Sequence, residues 1–578
     1  MTTLSGKSAS SGIVVGRVLV LQTAPLVIKR DTVKDTAVEI RRFQNALASA
    51  KQAIRLVREH ALRTLGEDKA AIFEAHIMLL EDPELIEEVE ASIRNDKLNA
   101  SAALQDVSRK FIGIFEAMDN EYMRERAADV RDVSDRVLRT LAGIAIPDLS
   151  TIQDEVVIVA HDLSPSETAT MNPKKIVGIL TNAGGKTSHT AIVARTLEIP
   201  AVLGLKRITN DCVTGDWVAF DGETGQVIVS PDDATRKQFL DRRAKYLRDK
   251  VELQALIGKP NETADGRVAQ LVGNIGSPQD LGVLKKYDAT GVGLYRTEFL
   301  FMEHSKMPTE EEQFVAYKTV LEALGPKPCT IRTLDIGGDK PVPYMNIPKE
   351  DNPFLGYRAI RYCLDHPEIF RTQLRALLRA SAFGSLRIMF PMISSLEELL
   401  AAKEHVAAVR AELEAAKITV APHVPVGVMI EIPSAALISD ILAQNCEFLS
   451  IGTNDLIQYT VAVDRLNESV QSLYDPYHPG VLRLIQMVIE KGHEHGAKVS
   501  MCGEMGGSAL HLPLLLGMGL DEFSMAPTSI LRARSQLRSW TMPEAREIVK
   551  QVAKCSRSAE IEAVLIEACD RKKTERSP

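Results

Sequence analysis

Two sets of residues in this chain have types and spacings suited to chemistry. The first lies in the stretch GGKTSHTAIVAR, where His189 follows two glycines and sits among the small hydroxyl residues Thr187, Ser188 and Thr190. The continuation AIVARTLEIPAVLG reads as an amphipathic helix entered through the Gly-Gly turn. Free backbone N–H groups at a helix start attract an anion, and imidazole is a competent nucleophile toward a phosphoryl group. A packed or solvent-facing histidine is the alternative, and spacing alone leaves both readings open.

The second set falls at the ends of short apolar runs in the C-terminal half. Arg296 closes GVGLYR, Arg332 and Asp335 lie at or near the end of CTIRTLDI, and Glu431 closes the run beginning VGVMI. Asn454 and Asp455 follow FLSIGT, and Cys502 ends AKVSMC. Glu431 and Asp455 together offer carboxylate oxygens to a divalent cation, a donor set that suits Mg²⁺ better than zinc. Arg296, Arg332, Arg358 and Arg465 offer planar forks for phosphate or carboxylate. The combination reads as a pocket for a small, doubly anionic ligand. Cys502 is either a buried small apolar residue or, with an ordinary thiol pKa of about 8.5, a proton donor to a carbanion-like carbon.

These positions depend on the elements that carry them. From about residue 261 onward eight apolar or β-branched runs alternate with helical segments: AQLVGNI, GVGLYR, CTIRTLDI, LRIMFPMI, VGVMIEI, FLSIGT, AKVSMC and EFSMA. Repeated βα units imply a parallel sheet, and eight of them suggest a closed (β/α)8 TIM barrel, with the active site at the C-terminal ends of the strands. A doubly wound open sheet is the structural alternative. Upstream, the first twenty residues have strand texture, as do EVVIVA, KIVGILT and the hairpin DWVAFDGETGQVIVS. Between them Phe43, Leu47, Ala50, Ile54, Val57 and Ala61 form a helical stripe, the first of several over residues 22–144. The simplest organisation is an α/β domain of residues 1–21 and 145–230 with a helical bundle, 22–144, inserted into it. A charged connecting helix in 231–260 then leads to the barrel, 261–578.

Composition narrows the function classes. The 578 residues carry a net charge of −8 with a pI near 5.9, which argues against nucleic-acid binding. No apolar stretch is long enough to span a membrane, and the N-terminus lacks the pattern of a secretory signal. Seven scattered cysteines without CxxC spacing suggest neither a disulfide frame nor a zinc site, so the expected compartment is a reducing cytoplasm.

GGKTSHTAIVAR, GVGLYRTEFLFM, TLDIGGDK, NPFLGYRAIR, VMIEIPSAAL, SIGTNDLIQY, DRLN and MCGEMGG together resemble the signature segments of the phosphoenolpyruvate-protein phosphotransferases, enzyme I of the bacterial sugar phosphotransferase system. EAHIMLLEDPEL and RAADVRDVSDRVLR extend the resemblance through the helical insertion. It implies a phosphohistidine α/β domain, a helical dock for the small histidine phosphocarrier protein HPr, and a barrel that binds phosphoenolpyruvate with Mg²⁺ and forms a homodimer. It implies further that His189 takes the phosphoryl group on Nε2, with Thr168 bonded to the other ring nitrogen. Arg296, Arg332, Arg465, Asn454 and Asp455 would hold the substrate, and Glu431 and Asp455 the metal. Cys502 would protonate the enolate carbon as pyruvate forms; Arg358 and Lys340 would line the site.

In the helical insertion, Glu67, Asp68, Glu74, Glu81, Asp82 and Glu84 lie beside Ile77, Leu79 and Leu80, an acidic and apolar group that the resemblance makes a partner surface. His76, with no carboxylate pattern around it, reads as structural. A phosphoenolpyruvate synthase or pyruvate phosphate dikinase would carry an additional ATP-grasp domain, for which the 120-odd-residue insertion leaves no room. A non-catalytic regulator on the same fold would be marked by loss of His189, Glu431, Asp455 or Cys502, and all four are present.

Overall fold

The computed structural model describes residues 1–576 except 22–25, 27, 65–66, 117–120, 145–148, 150–151, 186–187, 303, 305, 339, 341, 346 and 468, with backbone only for 63–64, 67–69, 71, 121–126, 128, 189, 343 and 576. The chain divides into two units, Met1–Lys250 and Val251–Pro578.

In the first unit, β1 (Thr2–Ser5), β2 (Lys7–Ser10), β3 (Ile13–Val20), β4 (Val156–Ala160), β5 (Ile176–Thr181), β6 (Ala201–Leu203), β7 (Trp217–Asp221) and β8 (Gln226–Val229) build one sheet in the order β1-β8-β7-β3-β4-β5-β6-β2. Strands from before residue 21 and after residue 155 thus share a sheet. β7 and β8 pair antiparallel, as the hairpin texture of DWVAFDGETGQVIVS requires. The helices Thr36–Thr64, Glu67–Leu80, Pro83–Asn95, Ala100–Glu116 and Glu121–Ala142 intervene between β3 and β4. The stripe Phe43, Leu47, Ala50, Ile54, Val57 and Ala61 is buried along its whole length against the other helices of the bundle.

Two expectations need correcting here. AIVARTLEIPAVLG is not one helix: His189–Thr196 is helical, and Ala201–Leu203 is the strand β6. Glu198 takes a left-handed conformation (φ 53°), and the Ile199 N–H donates to the Ala194 carbonyl, which closes the helix end. Pro200 then prevents helical continuation. His76, read as lacking carboxylates, is fully buried with Nε2 3.2 Å from Asp129 Oδ1 and Nδ1 3.8 Å from Asp132 Oδ2.

In the second unit, β9 (Gln270–Ile275), β10 (Val292–Arg296), β11 (Pro328–Arg332), β12 (Ser385–Phe390), β13 (Val426–Ile430), β14 (Phe448–Ile451), β15 (Lys498–Met501) and β16 (Glu522–Met525) form a closed parallel barrel. All eight apolar runs are strands, and closure excludes the open doubly wound sheet. Strand residues alternate between lumen and exterior. Val428 and Ile430 therefore join the large core between strands and helices, while Met429 and Glu431 face the lumen.

The charged stretch after β8 is the helix Asp233–Gln254, whose Phe239 packs with Val15, Ala219 and Ile228 of the sheet. Beyond it, the buried Arg534 donates to the Leu256 carbonyl and to Asn261 Oδ1 and pairs with Asp288, which accepts the Gly258 N–H. Among the described residues no helix is long and apolar enough to cross a membrane.

Candidate active site

The C-terminal ends of β10, β11, β13 and β14 and the segments that follow them carry a continuous charged ladder. Glu298, two residues past β10 and 2% exposed, accepts from Arg332 Nη2 at 2.5 Å and from Lys340 Nζ at 2.9 Å through the same oxygen. Asp335, fully buried, pairs with Arg332 Nη1 at 2.8 Å, Lys340 Nζ at 2.9 Å and Arg358 Nε at 2.9 Å. Arg358 continues to Asp455 Oδ1 at 3.1 Å, and Arg465 Nη1 lies 3.7 Å from Asp455 Oδ2. Burial disfavours the charged form of Asp335, but Arg332, Arg358 and Lys340 outweigh it and hold the carboxyl well below its ordinary range. For Glu298 burial likewise opposes ionisation, and Arg332 and Lys340 lower its pKa against it.

Glu431 behaves oppositely. Its Oε1 accepts the Met392 N–H at 2.7 Å, while its buried Oε2 has no hydrogen-bond partner among the described residues. Burial, reinforced by the neighbouring Asp455 and Asp335 carboxylates, pushes its pKa up to about 8. Arg358 and Arg332 oppose that shift without cancelling it. Gly452 brings the chain after β14 against it: a Cβ there would lie 3.0 Å from Glu431 Oε2. The donor set is oxygen, and among the described residues no three His, Cys, Asp or Glu side chains converge as a closed metal cage. Two neighbouring carboxylates, Glu431 and Asp455, suit Mg²⁺, which commonly relies on one or two protein carboxylates and substrate phosphate.

Asn454 accepts the Glu504 N–H on Oδ1 at 3.1 Å and the Tyr474 hydroxyl on its carbonyl at 3.3 Å. Cys502 follows β15, buried, with Sγ donating to the Ile451 carbonyl at 3.8 Å and its thiol pushed up to about 11 by burial, which the positive charges of Arg332 and Arg296 oppose. It is a protonated thiol at neutral pH. Gly503 is required beside it, because a Cβ there would meet Thr453 Oγ1 at 1.9 Å. Arg296 ends β10 at the same rim, and among the described residues no carboxylate pairs with it.

His189 and Thr168 belong to the first unit. The His189 ring lies outside the described residues; its backbone begins the helix His189–Thr196, whose cap Ser188 accepts the Ala191 N–H on Oγ at 3.3 Å. Thr168, fully buried in the helix Pro165–Ala169, directs its hydroxyl at the Ser164 and Pro165 carbonyls, 3.2 and 3.0 Å away. In the acidic group, the Glu67 and Asp68 side chains also lie outside the described residues. Glu74 pairs with Arg58, and Asp82 caps the helix Pro83–Asn95. Ile77 and Leu80 face the bundle core, and the exposed apolar side chain is Met78.

The barrel therefore brings Arg332, Asp335, Lys340, Arg358, Asp455 and Arg465 into one ladder with Glu431 and Cys502 beside it. Glu298 was not singled out from the sequence. Its signal is positional, two residues beyond the end of a barrel strand and directly after Arg296 and Thr297.

The chain matches the family models for the PEP-utilising enzyme N-terminal region over residues 5–126, mobile domain over 152–225 and PEP-binding domain over 250–542. It is 50% identical over 558 residues to the phosphoenolpyruvate-protein phosphotransferase of Staphylococcus carnosus (strain TM300), covering 96% of this chain and 97% of the relative. The chain belongs to the phosphoenolpyruvate-protein phosphotransferase family. The enzyme of that name from Geobacillus stearothermophilus is 50% identical, with 97% of each chain covered. That from Bacillus subtilis (strain 168) is 48% identical, covering 98% of this chain and all of the relative. As a phosphotransferase of this family, the chain uses phosphoenolpyruvate, and the ladder of arginines at the barrel mouth has the charge for such a substrate.

Proposed function

We propose that the protein transfers the phosphoryl group of phosphoenolpyruvate to its own His189 in a Mg²⁺-dependent step. From there the group passes to the histidine phosphocarrier protein HPr, the opening reaction of a bacterial sugar phosphotransferase system. The observation that carries the reading is Glu431, buried beside Asp455 and an arginine ladder, with one oxygen that has no hydrogen-bond partner among the described residues. Glu431 and Asp455 would hold the metal, which when bound supplies positive charge to the phosphoryl oxygens and the developing enolate. Arg296, Arg332 and Arg465 clamp the two anionic ends of the substrate, with Asn454 and the Asp455 backbone completing the pocket. Arg358 and Lys340, already tied to Asp335, hold the ladder in place.

His189 Nε2 attacks phosphorus in line; the bond from phosphorus to the enol oxygen breaks, and its electron pair leaves on the enolate. Thr168 fixes the ring by accepting or donating at the other nitrogen. Cys502 Sγ–H then protonates the enolate carbon, pyruvate is released, and solvent restores the thiol proton. Burial keeps Cys502 protonated until that moment. The helical insertion, through Met78 and the acids around it, docks HPr, and the barrel unit pairs two copies into a homodimer in the cytoplasm.

The test is incubation with ³²P-phosphoenolpyruvate, with and without Mg²⁺ and HPr, beside His189→Ala. An acid-labile, base-stable label that needs Mg²⁺, moves to HPr and is absent from the variant is the expected result. Label retained by His189→Ala would assign the nucleophile elsewhere; label that never transfers would leave the partner wrong.

A further inference from the structure

Below the charged ladder the barrel lumen turns apolar. Leu294 of β10, Met389 of β12, Met429 of β13 and Phe448 of β14 form a separate buried cluster with Cys502. Their strand neighbours Tyr295, Ile388, Phe390, Val428, Ile430 and Leu449 belong instead to the outer core. Because strand side chains alternate between faces, the cluster lies inside the barrel. Leu294 stands two residues before Arg296, and Met429 two residues before Glu431, so each sits one step deeper on the face that carries the site.

Met429 joins the two layers. Arg332 Nη1 approaches its Sδ at 3.6 Å, and a Cβ on Gly452 would lie 3.2 Å from its Cγ and 3.0 Å from Glu431 Oε2. The thioether therefore touches Arg332, which the proposed function assigns to the substrate, and belongs to the same apolar cluster as the Cys502 sulfur.

Phosphoenolpyruvate has two anionic groups and one apolar terminus, the C3 methylene. The anionic groups belong with the arginines and the metal carboxylates, which leaves C3 to face the apolar cluster and the Cys502 thiol. Building on the proposed reaction, we propose that Met429, Met389 and Leu294 form the floor under C3, and that Met429 and Met389 set the size limit at that carbon. The floor would also keep water from the enolate carbon until Cys502 delivers its proton. Discrimination of this kind is steric, and one additional methyl group in an apolar pocket is worth roughly 10–200-fold.

The test compares phosphoenolpyruvate with (Z)-2-phosphonooxybut-2-enoate, which differs only by a methyl group on C3, as phosphoryl donors to His189 in the full chain with Mg²⁺. Wild type should prefer phosphoenolpyruvate in kcat/KM by about 10–200-fold. Met429→Ala or Met389→Ala should shrink that preference by about tenfold or more, and Met429→Leu, which conserves volume, should retain it. The ratio is the readout, because a variant that merely loosens Arg332 slows both donors together. Should Met429→Ala not fold, Met429→Val and Met389→Ala carry the same comparison. A preference unchanged in the folded truncation variants, or no preference in wild type, overturns the floor. Failure of wild type to accept phosphoenolpyruvate at all is a different result, and overturns the proposed function instead.

Discussion

Asp335 and Arg358 form a two-point ion pair inside the barrel mouth: Nε donates to Oδ1 at 2.9 Å and Nη2 to Oδ2 at 3.1 Å. The same carboxylate also serves Arg332 and Lys340. One negative charge thereby fixes three cations that would otherwise repel one another and desolvate at great cost.

Asp335→Asn keeps the shape and removes that charge. Breaking a buried pair by removing one partner costs about 3–5 kcal/mol. Trp540 is the tryptophan of the barrel unit and Trp217 that of the first unit. Urea unfolding of Trp217→Phe protein, followed by Trp540 fluorescence, should therefore show a loss of that size. A loss under 1 kcal/mol would mean that Glu298 and Asp455 hold the ladder without Asp335.

Glu431→Gln isolates the metal assignment. Glutamine still accepts the Met392 N–H but offers no charge, so His189 labelling should fall by about a hundredfold or more, the scale of losing one key electrostatic stabiliser of the transition state. Raising Mg²⁺ should recover part of the rate. In wild type, chelation with EDTA should stop labelling and added Mg²⁺ restore it. Undiminished labelling in Glu431→Gln would remove this residue from the site.

How much of this was legible in the sequence depends on the distance between partners along the chain. Barrel strands are buried on both faces and read as short apolar runs, so all eight were visible, and with them the strand ends that carry Arg296, Arg332 and Glu431. β6 was not: three residues after a helix carry no periodicity of their own. Glu298 escaped because its partners Arg332 and Lys340 lie 34 and 42 residues away. The carboxylates around His76 come from a helix some 53 residues downstream, a juxtaposition that only packing creates.

His76→Ala should leave labelling of His189 by phosphoenolpyruvate within about threefold of wild type, since the contacts it makes are structural. It should destabilise the helical bundle by roughly 1–3 kcal/mol, the cost of leaving buried polar partners unsatisfied. Hydrogen exchange along Glu121–Ala142, which carries Asp129 and Asp132, would report the loss. Abolished labelling would give His76 a chemical role that its geometry does not suggest.

Burial of His511 should make barrel stability depend on acid. It is buried, stacks on Tyr477 at 4.8 Å, and has Nδ1 2.8 Å from Ser508 Oγ. Burial lowers its pKa from 6.5 to about 4. The unfolded chain therefore binds the proton more readily, and the stability contributed by neutral His511 is full above pH 6.5 and declines as pH falls toward 4. His511→Phe should flatten that part of the stability curve while keeping the stack. An unchanged slope between pH 6.5 and 4 would place the acid sensitivity elsewhere.

Cys502 supports the sharpest separation of chemistry from binding. Its thiol, held protonated by burial, is assigned to one proton transfer at carbon and to no contact with the phosphoryl group. Cys502→Ala should therefore leave the affinity for phosphoenolpyruvate within about threefold while slowing pyruvate formation by about 10²–10⁴-fold, the usual contribution of a positioned general acid. The same variant should lose enzyme-catalysed exchange of the pyruvate methyl protons with D₂O, followed by NMR with Mg²⁺ present. Cys502→Ser preserves size and hydrogen bonding but presents a much weaker acid, so it should behave like alanine in the exchange. Exchange that persists in both variants would assign the proton to another group, and Cys502 would then be only the sulfur that completes the apolar floor with Met429 and Leu294.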